Sequence, residues 1–312
     1  MKKIEIVAIC AALVFLCVAN FAQADDVWTT LDAPFVVYQT IAYGISGDNI
    51  IGTYDASDGQ HGFVYEVETK TWNVIDIPGT EMVEMFGISG NDAVGSYYTS
   101  TPNKWHGLLY NIVTRSWASL DMPGADSMNS TGIDGDNIIG QWLGGASGLH
   151  GFLYDGATWT TLNAPGANDT KLMGISGDNI VGYTDNVGSF LYNGATWTTI
   201  YPPAGIGAIY PRGISGRKIV GLCIDLSSKF HGFVYNYYDK TLTTLDMPGA
   251  DMTYPQGIDG NNIVGSYNDS SGTHGFLYVP PKVSVGAMTV PLITLAILLL
   301  SVVFIRRNQS VT

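Results

Sequence analysis

Five histidines, His61, His106, His150, His231 and His274, are all that the chain contains, and each opens the same segment, His-Gly-Phe/Leu-Leu/Val-Tyr. Imidazole near neutral pH suits proton transfer or metal ligation. A histidine with either task is expected once, beside a neighbour of a different kind. Repetition points instead to one structural hydrogen bond made in every unit. Carboxylates repeat as well: Asp32, Asp76, Asp121 and Asp246 each stand two residues before a proline, where a side chain accepting backbone N–H groups is the ordinary role. Asp55, Asp58, Asp185, Asp225 and Asp269 fall between apolar runs and could gather around Ca²⁺, yet none belongs to a D-x-[DN]-x-[DN]-G loop. No Ser-His-Asp order, phosphate-binding loop, Cys-His spacing or dinucleotide fingerprint is present. The sequence therefore names no catalytic residue, no metal ligand and no cofactor.

The elements that must carry these side chains announce themselves by period. A segment Gly-Ile-Ser/Asp-Gly-x-x-Ile/Ala-Val/Ile-Gly begins at Gly44, Gly87, Gly132, Gly174, Gly213 and Gly257, at spacings of 43, 45, 42, 39 and 44 residues. Such a period is the mark of a repeat architecture. In the unit 43–79, four β-rich runs follow one another: Tyr43 to Ser46, Ile50 to Tyr54, His61 to Val67 and Trp72 to Ile77. Gly47-Asp48-Asn49 supplies a tight hairpin, Asp55 to Gln60 reads as a polar loop, and Pro78-Gly79 ends the unit. The runs are nearly continuous in apolar residues, as in sheets covered on both faces, and no helical period interrupts them.

The last unit stops after Tyr278 without a fourth run, whereas residues 27–34, Val-Trp-Thr-Thr-Leu-Asp-Ala-Pro, form a fourth run without the first three. The two fragments complete one another. The expectation is an all-β, six-bladed β-propeller over residues 25–281, closed by its N-terminal strand, because closure removes the exposed ends of an open array. An open β-solenoid with capped ends is the alternative. Trp28, Trp72, Trp117, Trp159 and Trp197, with Leu242 in their place in unit five, share the fourth-run position and read as packing between blades. Trp142 replaces a tyrosine of the second run and reads as core.

Both ends of the chain point to a membrane. Residues 1–24 carry Lys2 and Lys3, an apolar run and a small-x-small site at Ala22-Gln23-Ala24, the form of a secretory signal. From Val285 to Ile305 the chain is apolar for 21 residues, about 31 Å as a helix, enough to span a bilayer. Thirteen Val, Leu, Ile and Phe residues there favour insertion by roughly 4 to 8 kcal/mol. Arg306 and Arg307 belong on the cytoplasmic side, so residues 282–312 are expected to form a C-terminal transmembrane anchor or sorting tail with the propeller outside the cytoplasm. Cys10 and Cys17 lie in the signal, which leaves Cys223 alone in the mature chain and no internal disulfide. Between residues 25 and 281, 26 Asp and Glu face 9 Lys and Arg, a formal charge of −17, which argues against a nucleic-acid partner.

The succession of a Gly-Ile-Ser/Asp strand, an Ile-Val-Gly strand and His61 to Tyr65, His106 to Tyr110, His150 to Tyr154, His231 to Tyr235 and His274 to Tyr278 resembles the bacterial extracellular HAF repeat family over about four fifths of the chain. It departs in having glycine where the family usually has alanine, and in unit four, where Ser189 to Tyr192 lacks the His-Gly pair. The resemblance implies an exported repeat protein with no assigned enzymatic activity. The tail, Val279-Pro280-Pro281-Lys282 followed by the apolar run and two arginines, is similar to PEP-CTERM-type sorting signals but lacks their glutamate.

Loops joining second to third strands, and one blade to the next, emerge on one face, and here they vary most: Thr99 to Lys104 against Leu143 to Gly148, Thr80 to Phe86 against Ala204 to Tyr210. Unlike loops on a rigid scaffold suggest binding. The leading expectation is a membrane-tethered, non-enzymatic module that binds an extracellular protein or glycan, with Trp105, Tyr210, Phe230 and Tyr254 as contacts. The alternatives are a glycan hydrolase or lyase with its site at the propeller axis, and a structural envelope component. Convergent, non-repeating acidic or aromatic residues in the central mouth would favour the enzyme; an axis of repeat residues alone would count against it.

Overall fold

A computed structural model describes residues 27–34, 36–144 and 148–281. The expected signal peptide and the apolar C-terminal run lie outside them. The first unit is β2 (Thr40–Ser46), β3 (Asn49–Ala56), β4 (Gly59–Glu66) and β5 (Thr71–Ile75); the second is β6 (Met82–Ser89), β7 (Asp92–Ser100), β8 (Asn103–Asn111) and β9 (Trp117–Leu120). The third is β10 (Ser127–Asp134), β11 (Asn137–Leu143), β12 (Leu149–Tyr154) and β13 (Trp159–Thr161), and the fourth β14 (Thr170–Ser176), β15 (Asn179–Thr184), β16 (Ser189–Tyr192) and β17 (Trp197–Thr199). The fifth comprises β18 (Ile206–Ser215), β19 (Lys218–Asp225), β20 (Phe230–Asn236) and β21 (Thr241–Thr244). The last has β22 (Met252–Asp259), β23 (Asn262–Asp269) and β24 (Gly272–Val279), with β1 (Val27–Leu31) hydrogen-bonded to β24 as its fourth strand.

The result is an all-β propeller of four four-stranded sheets and one eight-stranded sheet. The larger sheet joins the first two units through a single parallel pair, Gln60 with Met82. Trp28–Val279 form one compact unit. The expected first strand begins three residues too late, at Tyr43 rather than Thr40, and the expected polar loop 55–60 is mostly strand, because β3 and β4 continue their antiparallel ladder to the pair Ala56–Gly59.

Each first strand carries a β-bulge at the residue before its glycine, with register shifts at Ala42/Gly44, Met85/Gly87, Ser130/Gly132, Leu172/Gly174, Pro211/Gly213 and Pro255/Gly257. A bulge leaves one residue unpaired and re-aims its side chain. The glycine that follows has no room for a side chain: a Cβ on Gly87 would lie 2.8 Å from Gly132 Cα, and one on Gly257 3.1 Å from Gly44 Cα. First strands of successive units thus touch backbone to backbone at Gly44, Gly87, Gly174, Gly213 and Gly257, the last against the first, while Gly132 faces the side chains of Ile139 and Ile175.

The Ser or Asp two residues on makes the next tie. Ser46, Ser89, Asp134, Ser176, Ser215 and Asp259 accept hydrogen bonds of 2.5–3.3 Å from the N–H groups of Gly90, Gly135, Gly177, Gly216, Gly260 and Gly47. These donors are the hairpin glycines of the following unit, with φ of 54–58°, a region open to glycine at no steric cost. The final bond, Gly47 to Asp259, links residues 212 apart and completes the circle.

Apolar burial follows the same plan. Six hydrophobic clusters among the described residues each lie between consecutive units, from Ile51, Val83 and Leu108 between the first two to Leu31, Ala42, Phe63 and Val264 between last and first. Trp28, the residue that tests closure, rests 5.1 Å from Phe276 and 4.7 Å from Tyr278. Trp28, Trp72, Trp159 and Trp197 pack, as expected, against the clusters between blades. Trp72 lies on Phe63 and Tyr65, Trp159 on Phe152 and Tyr154, and Trp197 on Phe190 and Tyr192, each on the third strand of its own unit.

Candidate functional site

The repeating histidines make a repeating bond. His61, His106, His231 and His274 Nδ1 lie 2.6–2.9 Å from carboxylate oxygens of Asp76, Asp121, Asp246 and Asp32, and His150 Nδ1 accepts from the Asn163 amide at 2.9 Å. The aspartates before the prolines therefore serve the histidine of the adjacent strand, and a backbone bond is added only at Asp246, from Gly232 N–H at 3.3 Å. Burial alone would pull the His61 imidazolium down, but the hydrogen bond and charge of Asp76, seconded by Asp58, raise its pKa above the ordinary value. In the second-to-third strand loops, Asp225 accepts from Ser227 and Lys229 N–H, and Asp269 from Ser271 N–H. Among the described residues no three His, Cys, Asp or Glu side chains converge as a metal site.

What does not repeat lies at the axis. The bulged residues are Tyr43, Phe86, Thr131, Met173, Arg212 and Gln256, one from each first strand, and together they form a collar. On one side of the collar is a narrow channel of about 70 Å³ walled by the six Gly-Ile pairs. On the other is a mouth of about 300 Å³, to which Asn129, Lys171, Gln141 and Tyr183 also contribute, near the lower end of the size range of small-molecule sites. Two residues before the collar, the strands hold Ile41, Glu84, Asn129, Lys171, Tyr210 and Tyr254, five residue types among six positions, all half-buried. These pair across to Thr53, Ser96, Gln141, Tyr183, Leu222 and Ser266 of the second strands.

Local contacts hold this lining in place. Gln141 Nε2 and Thr131 Oγ1 both donate to Leu172 O, at 2.5 and 2.7 Å. Tyr43 and Phe86 meet edge to face at 5.0 Å, as do Tyr183 and Tyr210 at 5.5 Å. Lys171 Nζ and Arg212 Cζ lie 5.3 and 5.6 Å from the centre of the Tyr183 ring, within cation–π range. Burial, with the Glu84 charge added, pushes the Tyr43 hydroxyl up to about 12, opposed by Arg212 and helped by Asp55. Burial also raises the Glu84 carboxyl above the usual carboxylate range, and Asp55 reinforces it.

Of the four expected contacts, Tyr210 and Tyr254 stand on first strands two residues before the collar, but neither is among the residues that wall the mouth. Trp105 and Phe230 stand on third strands instead. Both are half-buried strand residues rather than loop residues, Trp105 in β8 opposite Tyr98 and 5.5 Å from its ring, and Phe230 in β20 opposite Ile224. The residues that the expectation passed over, Lys171, Tyr183, Arg212 and Gln256 above all, could have been found by aligning the six units and asking which columns fail to repeat. The loops of the same face expose large apolar side chains, Tyr38 at 72%, Tyr201 at 77% and Leu226 at 76%. A larger hollow of about 450 Å³ lies between the first two units, but it is walled by strand and turn residues, and its one cation, Arg115, is hydrogen-bonded to Asn73.

No family model matches the sequence, and no curated protein does. Among solved structures, the chain is similar to an exported protein of Bacteroides fragilis, at 9% identity and a TM-score of 0.52, over 84% of this chain and 97% of that one. It is also similar to the β-propeller domain of the Trilobed protease from Pyrococcus furiosus, described as having an open velcro topology, at 8% identity and a TM-score of 0.50, over 80% of this chain and 94% of that domain. At such identities the likeness establishes the propeller fold.

Proposed function

We propose that this chain is an exported, membrane-tethered, six-bladed propeller that binds a small extracellular ligand at the mouth of its axis. The count of six takes the eight-stranded sheet as two blades, since one residue pair alone joins its halves. Export and tethering rest on the signal-like residues 1–24 and the apolar run 285–305, and the exported neighbour of like fold accords with them. One observation carries the binding reading: the first-strand glycines, the Ser or Asp ties and the hairpin glycines that build the scaffold recur in all six units, while the collar positions that face the axis differ from blade to blade. A structural ring needs no such variation, whereas a site assembled from several blades does.

The test is a ligand screen of the purified full chain with carbohydrates and small metabolites, followed by substitution. Tyr183→Ala and Gln256→Ala are expected to weaken a ligand found in this way about tenfold or more, a loss of the size expected from removing a packed wall or an orienting hydrogen bond. Trp105→Ala and Phe230→Ala are expected to leave affinity unchanged. The reverse pattern would move the site to the outer loops, and an empty screen would favour a structural envelope component.

A second reading keeps the same mouth and gives it a reaction. The aromatic, non-repeating axis meets the condition set for a glycan hydrolase or lyase, and Glu84, with its raised pKa and the charges of Asp55 and Arg212 near Tyr43, has the character of a proton carrier. Release of new reducing ends from a polysaccharide, abolished by Glu84→Gln while binding persists, would establish it.

A further inference from the structure

The mouth is cationic in a strongly anionic molecule. Of the 9 Lys and Arg between residues 25 and 281, Lys171 and Arg212 come from adjacent units to the same aromatic ring. Neither has a carboxylate within ion-pair distance among the described residues, and the Arg212 guanidinium's one hydrogen-bond partner there is the Met173 sulfur, at 3.9 Å. Two like charges gathered in a hollow without a counter-ion repel one another, although 26 carboxylates were available to neutralise them. A concave, low-dielectric site focuses such a field on whatever enters it. Arginine's planar fork matches a carboxylate in two parallel hydrogen bonds, and lysine adds a point charge.

Glu84 and Asp55 act on Tyr43 from beside the mouth, but the remaining side chains that wall it are uncharged and rich in amides. Gln256 makes no side-chain hydrogen bond among the described residues, and Asn129 Oδ1 is buried without a partner. Aromatic faces, Tyr43, Phe86 and Tyr183, wall the hollow. Amides suited to hydroxyl groups, flat apolar walls suited to the face of a pyranose, and an unpaired Lys-Arg pair suited to a carboxylate occur together.

We propose, on the reading that the mouth is the binding site, that its ligand is a sugar acid, with the carboxylate seated between Lys171 and Arg212 beside the Tyr183 ring and the hydroxyl groups turned toward Gln256 and Asn129. The shared chemistry is a uronate, whether free or at the end of a short oligosaccharide.

The experiment is calorimetric titration of the purified full chain with D-glucuronate, D-galacturonate and a short oligogalacturonate, beside D-glucose, D-galactose and L-glutamate as neutral-sugar and non-sugar controls. At least one uronate binds, more tightly than its neutral counterpart and than glutamate, with affinity that falls as salt is raised. Arg212→Gln and Lys171→Gln each weaken it about tenfold or more, the scale of a lost charge-assisted hydrogen bond, while Lys240→Gln, in a turn of another face, leaves it unchanged. Unaltered thermal unfolding of the two variants shows that the loss is local. Neutral sugar bound as tightly as uronate overturns the sugar-acid assignment and leaves the mouth as the site, whereas uronate affinity indifferent to both substitutions overturns the assignment by showing that the carboxylate is held elsewhere. Glutamate as the tightest ligand overturns the sugar and keeps the carboxylate. No binding by any of the six compounds overturns the assignment outright, and only the broader screen then speaks to the mouth itself.

Discussion

The histidine carried by five of the six third strands shows how one residue type is turned to structure. His61 sits between Asp76 and Asp58, 2.6 and 3.2 Å from their oxygens, and its raised pKa means that the folded chain holds the proton more tightly than the unfolded one. Its contribution is therefore complete below the unfolded pKa and is lost as pH rises through the folded value. An NMR titration should place His61 above its ordinary value of 6.5, and Asp76→Asn should bring it down; a midpoint indifferent to that change would show that the tie does not bind the proton. The identical placement of five histidines was legible as structural because repetition argues against a unique chemical role. Their partners were not, since an aspartate two residues before a proline has several local uses and only the paired strands show which one prevails. The mouth residues escaped for the opposite reason. Lys171, Tyr183, Arg212 and Gln256 share no type, so a search for motifs passes over them; the bulges aim Arg212 and Gln256 at the axis, and Lys171 and Tyr183 join them from a regular strand pair.

At the scale of the strand, the bulge and its glycine act as one device. The bulge turns a side chain to the axis, and the glycine lets the next first strand approach to backbone contact. Gly87→Ala would set a Cβ 2.8 Å from Gly132 Cα and should destabilise the chain by about 1–3 kcal/mol, the cost of overpacking a rigid contact, whereas Gly79→Ala, with nothing within 4 Å of its Cβ but a φ of 82°, should be limited to the backbone strain of about 1 kcal/mol. Denaturant unfolding measures both, and equal losses would remove the close approach as the reason for the first glycine. Strand number and order were plain in the sequence. Their limits were less so, since Thr40 to Ala42 precede the repeated Gly-Ile segment from which the strand is recognised, and the ladder of β3 and β4 runs on through polar Asp55 and Gln60.

For the molecule as a whole, the ring is sealed by a strand that no covalent turn ties to its sheet. Leu31 of β1, 2% exposed, belongs to the cluster shared by the last and first units. Leu31→Ala should lower stability by about 2–5 kcal/mol, as for a fully buried leucine, and deletion of residues 25–35 should lower it further by leaving β24 an unpaired edge. Unchanged thermal unfolding of the deletion variant would contradict closure. The complementary ends could be read directly, because a fourth strand alone at one end and three without a fourth at the other admit few arrangements. What the sequence left open was the lining of the axis, for its chemistry is spread over residues far apart in the chain that only the assembled circle gathers.

The ties from Ser46, Ser89, Asp134, Ser176, Ser215 and Asp259 to the neighbouring hairpins form an unbroken round in which no unit is first. Where translation begins is then a matter of bookkeeping to the folded protein. A permuted gene that bridges Val279 to Val27 with a short turn and opens instead between β13 and β14 should still fold, melt cooperatively and keep the same pore.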